Sequence, residues 1–412
     1  MHSFALLFLV FFGLSLAIRF WLSQRHIAHI QQHRGAVPAA FNEKISLDEH
    51  QKAADYTSTK VRFGRWPMLY DAALLLIWTF GGGLEWLDQS WRVMALDPIY
   101  TGIGVLLSLT LVSSLLDLPF SLYSTFVIEE RFGFNRTTAK TFVIDLFKGM
   151  LLSLIIGMPL IWVVLWLMEQ AGEFWWLYTW VVLTAFSLFI AWAYPTWIAP
   201  IFNKFSPLEE GATLDRINSL LSRCGFNSNG IFVIDGSRRS SHGNAYFSGF
   251  GKNKRIVFFD TLLESLDDDE LEAVLAHELG HFKRKHILKS MLLSTATTLL
   301  GLWGLSWLMT NDWFYQSLGV STPSTYMALL LFTLVLPVFT FLLSPLMSML
   351  SRKNEFEADE FAAEQSDAKY LISALVNMYK ENASTLTPDP LYSAFYDSHP
   401  PAPVRIAQLA KQ

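Results

Sequence analysis

About seven stretches of this 412-residue chain are apolar over a length that suits a bilayer. A helix rises only about 1.5 Å per residue, so crossing a hydrocarbon core takes roughly 20 consecutive apolar residues. The stretches run from Phe4 to Phe20, Met68 to Leu87, Tyr100 to Phe126, Met150 to Met168, Phe174 to Tyr194, Met291 to Met309 and Tyr326 to Leu350. Composition points the same way: 52% of residues are hydrophobic and only 16% charged, too apolar for a soluble domain of this length. Ser15-Leu16-Ala17 has the small residues of a signal-peptide cleavage site, yet no basic residue precedes the apolar run, so the first stretch is expected to remain as a span.

Lysine and arginine alternate between the loops. Residues 21–67 carry Arg25, Arg34, Lys44, Lys52, Lys60, Arg62 and Arg65, whereas 88–99 has only Arg92. The third loop has Arg131, Arg136, Lys140 and Lys148, 169–173 and 310–325 have none, and 195–290 and 351–412 are rich in both. Since basic loops stay cytoplasmic, the N-terminus is expected outside, with 195–290 and 351–412 together in the cytoplasm of an inner or endoplasmic-reticulum-type membrane. The expected organisation is a five-span region (1–194), a cytoplasmic segment (195–290), two further spans (291–350) and a second cytoplasmic segment (351–412). The aromatic cluster Trp175, Trp176, Tyr178 and Trp180 suits a membrane interface. A net charge of −5 gives no basis for a nucleic-acid partner, and the single Cys224 leaves any metal to histidines and carboxylates.

Within 195–290 the stretch "AVLAHELGHFKRKH" (273–286) belongs to an amphipathic helix. Ser265 is the expected N-cap, Asp267, Asp268, Asp269 and Glu270 load the first turn, and Lys283, Arg284 and Lys285 the last, as the helix dipole favours. Leu271, Val274, Leu275 and Phe282 recur at helical spacing. His277 and His281, four residues apart, therefore project side by side and can grip one zinc ion, with Glu278 in reach of a water there. A catalytic zinc needs a third protein ligand. In "SRKNEFEADEFAAE" (351–364), Glu355 and Asp359 share a helix face while Glu357 points elsewhere; the spacing leaves either one as ligand and the other to orient a histidine. Ile231–Ile234 and Ile256–Phe259 read as strands, and "NAYFSGFGKNKRIVFF" as a hairpin of Asn244–Ser248, a Gly-rich turn and Arg255–Phe259. An exposed edge strand there can accept an extended peptide.

HExxH followed by "NEFEAD" resembles the M48 family of membrane metalloproteases. "EERFGFNRTT" (129–138), "YPTWIAPIFNKFSPL" (194–208), "SRRSSHGNAYFSG" (237–249) and "SHPP" (398–401) resemble its Ste24-type CAAX prenyl proteases. The resemblance implies seven transmembrane helices around a water-filled chamber, which Asp71 and Asp117 would line, joined to a cytoplasmic α+β HExxH zinc-protease domain. It implies one Zn²⁺ per chain on His277, His281 and Glu355, with Asp359 behind them, Glu278 as base and His399 as oxyanion donor. Asn244, Ala245, Tyr246 and Phe247 would bind peptide. Arg405 is left open between Asp359 and a substrate carboxylate, and His242 reads as structural. Glu357 stands where many relatives have Gln, and Ser248 where many have an aromatic residue.

The activity so implied is a zinc endopeptidase cutting near the C-terminus of CAAX-type, prenylated or similar membrane-associated proteins, with lipid bilayer and protein substrate as partners. The alternative within the family is a quality-control protease for misfolded or translocation-stalled proteins. A scaffold or transporter would leave Glu278, Glu355 and Asp359 without a purpose. Orientation is open to direct test. Reporters fused after Arg92 and Asp312 are expected to read outside, and those after Lys52, Lys252 and Gln412 cytoplasmic; an outside C-terminus would part the two halves of the metal site.

Overall fold

Apolar length decides the architecture. In the computed structural model, which describes residues 2–249 and 254–411, six helical segments are long and apolar enough to cross a membrane, and a bent pair makes a seventh. The helices are α1 (Ser3–His33), α2 (Leu47–Trp78), α3 (Gly83–Arg92), α4 (Pro98–Tyr123), α5 (Ala139–Gln170), α6 (Trp175–Ala193), α7 (Ala212–Arg223), α8 (Asp268–Lys283), α9 (His286–Leu308), α10 (Thr325–Thr340), α11 (Ser344–Gln365), α12 (Ala368–Glu381), α13 (Pro390–Tyr396) and α14 (Ala402–Leu409).

Three expectations change. The Met68–Leu87 stretch is not one straight span: α2 stops at Trp78 and the chain turns by 53° into α3. The cause is a run of glycines, where Gly82 takes φ +76° and a Cβ on Gly81 would lie 2.6 Å from the Ile77 carbonyl oxygen. The helix that carries the last apolar stretch does not stop near Leu350. Pro345 has no N–H to give the turn before it, so the helix tightens over Phe341–Leu343 and restarts as α11, which continues unbroken to Gln365. Finally, Ser265 ends a short helix, Asp260–Ser265, and does not cap α8. The cap is Asp267, whose carboxylate accepts the Glu270 N–H at 2.8 Å while Glu270 accepts the Asp267 N–H at 3.2 Å.

The long helices touch their neighbours and close a circuit: α1 on α2, α2 through α3 on α4, α4 on α5, α5 on α6, α6 on α9, α9 on α10 and α10 on α1. Packing is concentrated at the two ends of this ring. One core joins Phe8, Ile103, Trp175 and Tyr326, near the N-terminal ends of α1, α4, α6 and α10, to Leu165 and Leu305, near the C-terminal ends of α5 and α9, and takes in Leu84 and Phe314. Between the ends burial stops: α4 has no buried residue from Thr110 to Tyr123, α5 none from Phe142 to Val163, and α9 none from Ile287 to Gly301. Asp71 and Asp117 are both exposed.

The second core lies beyond the other end of the ring. A four-stranded sheet, ordered β1-β2-β4-β3, is built from β1 (Phe205–Pro207), β2 (Ile231–Ile234), β3 (Ala245–Ser248) and β4 (Arg255–Phe259). β3 pairs with β4 antiparallel, Ala245 facing Phe258 and Phe247 facing Ile256, which leaves β3 at the edge of the sheet. Residues 250–253 of the expected hairpin turn lie outside the described residues. Ile231, Ile256 and Phe258 pack with Leu271, Val274, Leu275 and Leu279 of α8, so the sheet fixes one face of that helix and frees the other for chemistry.

Candidate active site

The free face of α8 meets α11. The approach is close enough to need a glycine: a Cβ on Gly280 would lie 2.9 Å from the Ala358 Cα and 3.0 Å from its carbonyl oxygen. Ala358 and Ala362 on α11 are both fully buried. This contact carries Glu355 to the histidines. One donor atom from each of His277, His281 and Glu355 falls in a group no more than 4.8 Å across.

Each ligand candidate is oriented. His277 Nδ1 lies 2.8 Å from Asp359 Oδ1, which turns Nε2 toward His281 Nε2 at 3.2 Å and Glu355 Oε2 at 3.5 Å. Glu355 Oε1 lies 3.3 Å from His281 Nε2. Arg405 on α14 holds Asp359 through one edge of its guanidinium, Nε donating to Oδ2 at 2.9 Å and Nη2 to Oδ1 at 2.5 Å, and Nη1 lies 3.6 Å from Glu355 Oε2. The two alternatives for Arg405 thus divide in favour of Asp359 in geometry. His277, Glu355, Asp359 and Arg405 are all buried, so a charge without its partner here would be costly.

The donor set fits a divalent cation. Two imidazoles and a carboxylate are a three-ligand catalytic zinc set that leaves a fourth position open. Glu355 Oε2 is buried with no hydrogen-bond partner, an acceptor that a metal would satisfy. Burial and the Arg405 charge push His277 toward the neutral form, but Asp359 and Glu355 outweigh them and hold the imidazole above its ordinary pKa. The pocket therefore favours positive charge at this point.

Glu278, half-buried on α8, has no hydrogen bond or ion pair to any described residue and is free to handle a proton. His399 is mostly exposed, with Nε2 3.4 Å from Glu355 Oε1 and Nδ1 3.1 Å from the Ser398 hydroxyl. Asn244 is exposed just before β3, where its carbonyl accepts the Phe259 N–H at 3.0 Å; Ala245, Tyr246 and Phe247 follow on the edge strand. His242 is built into the scaffold, with Nδ1 3.1 Å from Asn382 Oδ1, Nε2 3.3 Å from the Tyr56 hydroxyl and its ring stacked on Phe134.

His286 escaped the sequence reading. Its Nδ1 lies 3.0 Å from His281 Nδ1, and its Nε2 bonds to Glu357 at 3.0 Å. Five residues along one continuous helix would carry it about 140° around the axis from His281. Lys285, at φ +58°, breaks the helix between them and turns His286 back. Glu357, the acid on the wrong face for the metal, is thereby tied to the second histidine.

Residues 26–204 match the model described as "CAAX prenyl protease N-terminal, five membrane helices", and residues 207–412 match peptidase family M48. The chain is 38% identical over 380 residues to the CAAX prenyl protease 1 homolog of Arabidopsis thaliana, covering 89% of this chain and 88% of the relative. It is 34% identical to CAAX prenyl protease 1 of Saccharomyces cerevisiae, over 90% and 88% of the two chains. The crystal structure of S. mikatae Ste24p superposes with a TM-score of 0.91 at 30% identity, covering 99% of both chains.

Two substitutions test the geometry. Asp359→Asn is expected to lower zinc affinity about 10–100-fold by loosening His277. Gly280→Val is expected to lower both zinc affinity and thermal stability, the overpacking alone costing about 1–3 kcal/mol. Zinc retention against a graded chelator series reads both; wild-type retention in Asp359→Asn would remove that residue from the site.

Proposed function

The chain belongs to peptidase family M48 and carries the membrane domain of CAAX prenyl proteases, and from that premise we propose a zinc endopeptidase that cuts CAAX-type, prenylated or similar membrane-associated proteins near their C-terminus. The observation that carries the proposal is the convergence of His277, His281 and Glu355, from two helices separated by two spans, beside a partnerless Glu278. In this reading the N-terminus lies outside and the metal helices face the cytoplasm of an inner or endoplasmic-reticulum-type membrane. The unpacked middle of the helix ring encloses a chamber.

One zinc per chain, held by His277, His281 and Glu355, supplies Lewis acidity toward a water and the scissile carbonyl. The protein does the rest. β3 takes the peptide as an added strand, so backbone hydrogen bonds set the position of the carbonyl and side-chain identity matters less. Glu278 accepts the water's proton on its carboxylate and returns it to the departing amine, so one group acts as base and then as acid. His399 donates from its imidazole to the carbonyl oxygen as negative charge develops there. Asp359, fixed by Arg405, holds His277 in the tautomer that presents Nε2, and His286 does the same for His281.

Glu278→Gln is expected to keep its zinc and lose most turnover, whereas Ala at His277, His281 or Glu355 loses metal and activity together. Metal content and peptide hydrolysis measured on the same preparations check this; normal turnover in Glu278→Gln would refute the mechanism. A prenyl group adds affinity at about 0.8 kcal/mol per CH₂ removed from water. Its deletion is therefore expected mainly to raise KM, and proline within the cleaved stretch to block hydrolysis by removing a ladder donor. Matched peptides in detergent separate KM from kcat, and a fall in kcat at constant KM would show that the lipid aligns the scissile bond.

A further inference from the structure

Two cavities open at the two ends of β3, each with three basic residues in its wall. At the Phe247–Gly249 end lies one of about 910 Å³, walled by Phe186, Ile190, Phe226, Phe282 and Leu288. At the Asn244 end lies one of about 860 Å³ between α1, α2 and α13, with Arg19, Lys60 and Arg65 in its wall. Lys60 is already engaged, 3.1 Å from the Tyr56 hydroxyl and 3.6 Å from Glu129. The two arginines are not. Arg19 lies 4.1 Å over the Phe341 ring, and Arg65 donates from Nε to the Ser23 hydroxyl at 2.8 Å while its Nη2 is buried without a hydrogen-bond partner. Neither has a carboxylate partner among the described residues. Asp397, the only carboxylate among the described residues of that wall, has Arg352 and His399 as its charged neighbours.

A guanidinium within or beside a membrane-spanning segment normally pairs with a counter-charge, and one without it is a candidate contact for a charged ligand. The direction of the edge strand says which ligand. Antiparallel pairing is the more stable and the commoner arrangement, and a peptide so added to β3 runs from the Gly249 end toward Asn244. Its downstream end then enters the arginine-lined cavity, and its upstream end lies by the apolar one.

Resting on the proposed peptidase activity, we propose that the cavity beside Asn244 is a subsite for the free C-terminal carboxylate of the substrate, held by Arg19 and Arg65. The prenylated upstream end would then face the apolar cavity at Phe247. Guanidinium suits this role because its planar fork matches a carboxylate with two parallel hydrogen bonds. The apolar cavity also has Lys254, Lys283 and Lys285 in its wall. Lys254 lies 3.9 Å over the Phe282 ring, and the other two define the competing direction, in which a parallel peptide would bring its carboxylate to them.

The test compares prenylated peptides ending in a free carboxylate or in an amide, on zinc-loaded full-length protein in detergent. In the wild type the amide is expected to raise KM about tenfold or more with little change in kcat, the size expected of a hydrogen bond to a charged group. Arg65→Gln and Arg19→Gln should raise KM for the acid and leave the amide unchanged, closing the gap, and Arg65→Lys should restore part of it. Equal KM for acid and amide in the wild type would overturn the proposal. So would equal losses on both peptides in the arginine variants, or a gap closed by Lys283→Gln or Lys285→Gln instead. Binding of the same peptides to Glu278→Gln protein, followed by fluorescence anisotropy, reads the gap without turnover, so a failure of hydrolysis and a failure of the subsite are seen separately.

Discussion

The close approach of Gly280 to Ala358 is the contact on which the rest depends. Two histidines on α8 and one glutamate on α11 are separated in sequence by two membrane spans, and only direct helix packing brings them together. At a distance of 2.9 Å from a hypothetical Cβ to the Ala358 backbone, any side chain at position 280 would push the helices apart. The spans on either side make that contact possible, since α9 leads away from α8 into the ring and α10 returns through it to α11. A metal helix among membrane spans is therefore no anomaly: the spans deliver its partner.

Once the helices meet, buried charge needs a full set of partners. Asp359 and Arg405 neutralise one another while fixing His277 from behind, and Glu357 reaches His281 through His286. Removing one member of such a set leaves the others desolvated and unpaired, which costs more than the pair contributes. Among the described residues Glu278 has no partner in this network, as suits the proton-transfer role proposed for it.

Much of this was legible in the residues. Apolar length located the spans, four-residue spacing put His277 beside His281 and Glu355 beside Asp359, and β-branched runs found β2 and β4. Physical spacing could not choose between Glu355 and Asp359, because that choice depends on how α11 is rotated against α8. Three features were hidden for reasons that can be named. The bend after Trp78 lies in glycines inside an otherwise apolar run, and hydropathy does not register backbone freedom. The length of the last long helix was hidden because α11 continues past Leu350 without a break while its side chains turn polar. His286 was hidden by the break at Lys285, which restores to one site two histidines that helical periodicity would separate.

The central claim is a single metal site completed between α8 and α11. Its most direct test is an anomalous difference map at the zinc edge from crystals of zinc-loaded protein. One peak is predicted, with His277 Nε2, His281 Nε2 and a Glu355 oxygen at about 2.0–2.2 Å from it. A peak that excludes Glu355, or zinc bound elsewhere in the molecule, would contradict the account.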